Sequence, residues 1–320
     1  MDHPIVVPLD GSPLAEQALP YAATLAQTCR APLLLVEAAT VTPRPREAAE
    51  DARTRACDEA AARLEGLRGD LAARDVRADV VVELAPSADV IRETAQARHA
   101  QLIVSTTHGW GGHSPWTLGS VAEQTLRHSR LSTLCLSPQA LAAGDANRLH
   151  RRLLVPTDGS PISERMFPVA QRLARQLGVP VTLLRVIDPV GFYSGATMLP
   201  YGSLLPPNLV EDAVAAEQTA LAAEAARWRA RGIDAEARVV SSSASEGIAK
   251  VAAECGAGWI AMASHGRGGV GGFVLGSTAR RILQHVPLPV LIGAGAFRDT
   301  ISDEAPGACR SRKQQWSHGV

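Results

Sequence analysis

Short apolar runs alternate with longer amphipathic stretches along the whole chain. The runs fall at Ile5–Leu9, Leu33–Val36, Val80–Leu84, Leu102–Ser105 and Leu131–Leu136, and again at Leu153–Pro156, Val181–Ile187, Ala235–Val240, Trp259–Ala263 and Pro289–Ile292. Between them the spacing predicts helices over 13–29, 46–73, 87–98 and 120–129, then over 161–177, 209–231, 245–255 and 277–286. Val210, Val214, Leu221, Ala225 and Trp228, for example, recur at intervals that put them on one helical face. Continuous apolar strands separated by helices read as a parallel sheet covered on both faces. Right-handed crossovers then make each half a doubly wound sandwich. The expected fold class is α/β, two tandem doubly wound five-stranded parallel sheets.

The alternation is doubled because the sequence is. IVVPLDGS at 5–12 returns as LLVPTDGS at 153–160, an offset of 148 between Asp10 and Asp158. THGWGGHSPWTLGS at 107–120 returns as SHGRGGVGGFVLGS at 264–277, an offset of 157 between Gly109 and Gly266. The extra residues of the second copy fit best in the Gly- and Pro-containing stretch from Asp188 to Asn208, read as a surface loop. Two copies this long are too few for a solenoid. Each is a domain, 1–140 and 152–296, with a linker at 141–151 and an aperiodic, disordered tail at 297–320.

Composition narrows the possible partners. Lys and Arg number 32 and Asp and Glu number 32, so the formal charge is zero. That balance lacks the basic footprint of a nucleic-acid binder or of a polybasic membrane binder. Aromatic residues, at 4%, are too few for a platform that stacks single-stranded bases. The five cysteines are isolated, which argues against a disulfide framework or a zinc site. With no signal-peptide pattern and no apolar run of bilayer length, the chain reads as soluble and cytoplasmic.

In an open parallel sheet, ligands bind beyond the carboxyl ends of the strands, where strand order reverses. Two features of each copy belong there: the aspartate closing the first strand, Asp10 or Asp158, and the Gly-rich loop after the fourth strand, 109–120 or 266–277. A glycine-rich turn running into a helix N-terminus exposes amide N–H groups suited to phosphate oxygens. Ser120 and Ser277 stand where each can cap its helix or bind an anion. Gly266 to Gly271 fits G-x-G-x-x-G literally, but the dinucleotide fingerprint follows a first strand and needs an acidic residue about 20 positions on. Here the loop follows the fourth strand, and Leu291 stands near that place. Neither a P-loop nor a G-x-S-x-G nucleophile elbow occurs.

The strand-ending Asp, the His-Gly pair, nine intervening residues and a terminal Gly-Ser together resemble the universal stress protein family, whose ATP-binding branch carries G-x-x-G, nine residues, then G-[ST]. The resemblance covers residues 3–137 and 152–293. It implies the adenine nucleotide α-hydrolase-like fold and binding of ATP, AMP or a related adenine nucleotide by a regulatory module of the stress response. By the same resemblance Asp158 contacts the ribose or a phosphate-bound Mg²⁺, Pro156 and Thr157 line the base pocket, and Val186 offers backbone groups to adenine. Gly266, Gly276 and Ser277 hold the phosphates, with Thr278 on the first helical turn. Ala263 replaces the motif's first glycine. In the first copy Asp10, Gly109, Gly119 and Ser120 match, while Thr106 takes the first glycine's place and Ala38 that of Val186.

That asymmetry ranks the two sites. Were the first glycine position to need a positive φ or a tight backbone approach, Thr106 would be strained, by about 1–3 kcal/mol, or blocking, and Ala263 only mildly so. The second domain is therefore expected to be the better nucleotide site. A slow ATP hydrolase or nucleotidyl transferase on the same fold is the alternative. His108 and His265, beside the loop, can be read either as bases near the phosphates or as residues that orient the loop. The apolar terminal strands near 131–136 and 289–292 need cover and can cover one another in an internal pseudo-dimer, with a homodimer as a further state.

Overall fold

The computed structural model describes residues 3–45, 47–109, 118–188, 209–264 and 275–293. Gly266, His265, the greater part of the 188–208 stretch and the 297–320 tail lie outside the described residues. The first half runs β1 (Ile5–Leu9), α1 (Pro13–Glu16), α2 (Leu19–Cys29), β2 (Leu33–Ala38), α3 (Ala49–Ala72), β3 (Ala78–Glu83), α4 (Ser87–Ala97), β4 (Leu102–Thr106), α5 (Ser120–His128) and β5 (Thr133–Leu136). A short helix α6 (Pro138–Ala142) and a 3-10 turn (Ala146–His150) lead to the second half. That half runs β6 (Leu153–Pro156), α7 (Pro161–Glu164), α8 (Phe167–Leu177), β7 (Val181–Ile187), α9 (Leu209–Ala230), β8 (Ala235–Ser241), α10 (Ala244–Glu254), β9 (Trp259–Ala263), α11 (Ser277–His285) and β10 (Val290–Gly293).

Two helices expected to be continuous are broken. The stretch 13–29 divides at Gln17–Ala18 and the stretch 161–177 at Arg165–Met166. Pro20 and Pro168 stand in the first turn of α2 and α8. A proline there has no N–H to donate and its ring crowds the preceding turn, so the chain restarts the helix instead of continuing it.

The ten strands of the described residues form one sheet in the order β3-β2-β1-β4-β5-β10-β9-β6-β7-β8. Within each half every pairing is parallel; β5 and β10 run antiparallel, with Cys135 opposite Val290 and Leu134 opposite Leu291. The two terminal strands thus cover each other. Glu123 of α5 links the halves beside this seam, accepting from Arg127 at 3.0 Å and from Arg280 of α11 at 3.2 Å. The connecting segment is tied to both halves: Tyr21 donates to the Gly144 carbonyl at 3.1 Å, and Arg148 donates to the Pro287 carbonyl at 2.7 Å.

Strand side chains alternate between the faces, as the pleat requires. Ile5, Val7, Leu153 and Val155 join one core that runs under both halves, while Val6 and Leu154 enter separate clusters on the opposite face. On α3 the buried face is Ala52, Ala56, Ala60, Leu64 and Leu71, apolar residues at helical spacing. On α9, Leu221, Ala225 and Trp228 are buried as the spacing predicts.

Candidate functional site

Strand order reverses between β1 and β4, and between β6 and β9. At each reversal the neighbouring strands part early. β1 pairs with β2 over five residues but with β4 only at Ile5 and Val6; β6 pairs with β9 only at Leu153 and Leu154. Pro8 and Pro156, without N–H donors, follow within two residues of the last pair. A crevice opens at the carboxyl ends.

Asp10 and Asp158 stand at its floor. Asp10 Oδ1 accepts from the Ser12 amide at 2.9 Å, and Asp158 Oδ1 from the Ser160 amide at 2.9 Å. Between them Gly11 and Gly159 take φ of +73°, a left-handed conformation that glycine adopts without cost. The helix caps are the serines, not the aspartates: Ser12 Oγ accepts from the Ala15 amide and Ser160 Oγ from the Ser163 amide, each at 3.1 Å. The aspartates are thereby fixed at the crevice by the turn itself.

Across the crevice lie the described ends of the glycine-rich loops. Gly109 packs directly on the Asp10 carboxylate: a Cβ built there would lie 3.1 Å from its Cγ and within forbidden contact of Oδ2. Both loops close in the same way. The Gly119 amide donates to the Thr107 carbonyl at 2.9 Å, and the Gly276 amide to the Ser264 carbonyl at 2.8 Å. Gly119 and Gly276 are the N-caps of α5 and α11, with no side-chain cap bond. Ser120 and Ser277, expected as possible caps, are instead the first helical residues and exposed; Thr278 follows, half-buried.

The β7 side completes the second crevice. The Leu184 carbonyl accepts from the Thr157 amide at 2.8 Å, and Ile187 accepts from Ser242 on the β8 side. Main-chain groups alternate along a parallel strand, so those of Val186 point to the β6 side, past the last paired residue, Pro156 opposite Leu184. The Val186 side chain packs away, against Gly247 of α10. Thr157 is buried with its hydroxyl turned into the strand-end turn, 2.9 Å from Ser163 Oγ and accepting from the Gly159 amide at 3.1 Å. Ala263 ends β9, opposite Gly293. In the first half β1 pairs one residue further, Leu9 opposite Glu37, and Ala38 is the equivalent of Val186.

One of the two grounds for setting the sites apart is removed. Thr106 does not have a positive φ, and neither does Ala263; among described non-glycine residues only Arg30, Asp75 and His99 do. Thr106 is an ordinary strand residue at the end of β4, so no backbone strain separates the two sites there. Its hydroxyl donates to the His108 carbonyl at 2.7 Å. His108 is buried and its Nδ1 lies 2.9 Å from Thr107 Oγ1. Four charged residues that sequence reasoning passed over, Glu37, Arg63, Arg185 and Glu217, lie beside the crevice floors. Comparing the repeats at 37 and 185 exposes opposite charges at one position, the signal that leads to them.

The profile of the Universal stress protein family matches residues 1–137 and again residues 150–292. The chain belongs to this family. A universal stress protein of Mycobacterium tuberculosis (strain ATCC 25618 / H37Rv) is 26% identical over 301 residues, covering 91% of this chain and 96% of its own. Among solved structures, a universal stress protein from Archaeoglobus fulgidus DSM 4304 superposes with a TM-score of 0.66 at 18% identity, covering 92% of this chain and 98% of that one. A putative universal stress protein from Pseudomonas aeruginosa UCBPP-PA14 gives 0.59 at 14% identity, over 91% and 93%. As a tandem universal stress protein the chain thus carries two copies of one crevice. No helix among the described residues is long and apolar enough to cross a membrane.

Proposed function

We propose that this universal stress protein is a regulatory module that binds an adenine nucleotide, with the second domain as the better site. What carries the reading is the layout of the second crevice: outward-facing main chain of Val186 on one side, the Gly276–Ser277 loop end on the other, and Asp158 between them. A base can pair its polar edge with a strand's main chain, a ribose can reach a carboxylate, and phosphates suit uncapped amides at a helix start. A helix end alone contributes only about 0.3–1 kcal/mol, against roughly 8 kcal/mol for micromolar binding, so all three parts are needed. The second domain is favoured because β6 stops one pair earlier than β1, leaving Val186 beside open space, and because its loop has RGGVGG where the first has WGGHSP.

Mg²⁺ enters this reading with the nucleotide. It commonly takes one or two carboxylates and leaves the rest of its shell to phosphates and water, which Asp158 alone satisfies. We read the module as binding without turnover, with phosphate release far below the roughly 1–1000 per second of ordinary enzymes.

Calorimetric titration of the full chain with ATP, AMP and adenosine tests the reading, together with mass spectrometry of any small molecule released on denaturation. Binding of an adenine nucleotide that is weakened more by Asp158→Ala than by Asp10→Ala is the expected result. Absence of titratable binding refutes it; a larger effect at Asp10 reverses the ranking. Phosphate release that disappears in Asp158→Ala would point to the hydrolase instead.

A further inference from the structure

In both halves a guanidinium rests against the glycine that follows the strand-end aspartate, and the halves bring it there by opposite routes. In the first half it belongs to Arg63 of α3, paired with Glu37 of β2. In the second it belongs to Arg185 of β7, which donates to Glu217 of α9 at 2.7 Å. A Cβ on Gly11 would lie 3.1 Å from Arg63 Nε; one on Gly159 would lie 2.7 Å from Arg185 Nη2 and 2.8 Å from Cζ. Glu37 and Arg185 are equivalent positions, separated by the same offset as Asp10 and Asp158, and each precedes the residue whose main chain faces the crevice. Strand and helix have exchanged charges, and the cation has kept its place.

Packing alone does not account for this. A buried ion pair is seldom better for stability than an apolar pair of the same size, and Glu37 and Arg185 are only 3% and 8% exposed. Nor is the cation saturated by its partner: Arg185 Nε is buried with no hydrogen-bond partner among the described residues. The second half spends desolvation on the cation itself and the first on the cation's carboxylate partner, and both keep a positive group beside the strand-end glycine.

We propose that Arg63 and Arg185 set the charge preference of the two crevices, drawing the ligand's phosphate groups and selecting phosphorylated adenosine over adenosine itself. The proposal rests on the nucleotide reading above. The Arg185 side chain is 10% exposed and that of Arg63 is 44% exposed, so solvent screens Arg185 less and its removal has the larger effect.

The test titrates the full chain with ATP, adenosine and inorganic tripolyphosphate. Arg185→Gln is expected to weaken ATP and tripolyphosphate by about tenfold, the size of one charge ~10 Å away at an effective dielectric near 20, while adenosine is unaffected. Arg63→Gln shows a smaller loss. Arg185→Glu/Glu217→Ala/Ala220→Arg transplants the first half's wiring, since positions 217 and 220 precede Leu221 as Ala60 and Arg63 precede Leu64, and is expected to recover most of the ATP affinity. An unchanged ATP-to-adenosine ratio in Arg185→Gln overturns the inference and leaves the nucleotide reading standing. Arg185-dependent tripolyphosphate binding with no gain for ATP supports the inference and overturns the adenine reading. A wild type that binds neither ATP nor tripolyphosphate overturns both.

Discussion

The Asp10 carboxylate lies in the space that a side chain on Gly109 would need, with its Cγ 3.1 Å from the position of an added Cβ. The first strand and the loop after the fourth are therefore in contact through one carboxylate and one bare Cα. Gly109→Ala is expected to force Asp10 away from the Ser12 amide and to cost about 1–3 kcal/mol, the range for overpacking a fitted site. Urea denaturation measures the loss. Asp10→Ala in the same chain should recover much of it, with a coupling of at least about 0.5 kcal/mol in a double-mutant cycle. Strict additivity would mean that Gly109 is glycine for another reason.

Glu37 makes stability depend on pH in an unusual direction for a carboxylate. Burial pushes its carboxyl above the ordinary 4.5, Arg63 pulls it down, and Asp10 and Glu16 add to the rise. The folded chain thus holds a proton that the unfolded chain has already released. This contribution is fully present below the ordinary value and is lost as pH rises through the raised one. From about pH 4 to about pH 7, the urea midpoint of the wild type should fall relative to Glu37→Gln. A constant difference between the two would show that Arg63 fully offsets the burial.

Cys135 sits at the seam between the halves, opposite Val290, and burial pushes its thiol up to about 12. The thiolate is the reactive form. Treated near pH 8 with an alkylating reagent, the native protein should leave Cys135 unmodified while the half-buried Cys57 reacts. Labelling of Cys135 should appear only with global unfolding. Modification without loss of helical circular dichroism would reveal that the seam opens by itself.

Trp228 anchors α9. It is wholly buried, stands edge-on to Phe167 with ring centroids 5.3 Å apart, and donates to Glu224 at 2.8 Å. Trp228→Ala is expected to cost about 3–5 kcal/mol. Trp228→Leu should cost less, because Leu71, seven residues beyond Leu64 as Trp228 is beyond Leu221, fills the corresponding place in the first half. Chemical denaturation followed by circular dichroism distinguishes the two. Equal losses would mean that the ring contact with Phe167, not buried volume, dominates.

Much of this architecture is legible in the chain itself. The runs Ile5–Leu9, Leu153–Pro156, Val181–Ile187 and Trp259–Ala263 are strands with the same bounds in the structure, because apolar periodicity is imposed by local backbone geometry. The breaks before Pro20 and Pro168 were missed, because the apolar pattern runs straight across them, although a proline inside a helical pattern is itself a signal of a restart. The repeat placed Asp10 and Asp158 at strand ends and the Gly119 and Gly276 loop ends at helix starts, since each rests on neighbours in sequence.

Other features were decided by tertiary structure. The φ of Thr106 is set by β4 continuing beside β5, and residue type does not report it. Cysteine burial is similar: Cys135 is enclosed by the seam, while Cys255 caps the end of α10 half-exposed. The meeting of Arg63 with Gly11 depends on how far α3 slides along the sheet, and that of Arg185 with Gly159 on the register of β7 beside β6. Sequence determines which segments become strands and helices, since that choice is made over a few residues. Which charges face one another across the crevice is settled only when crossovers and register bring distant positions together, and side-chain chemistry has no local signature of such a meeting.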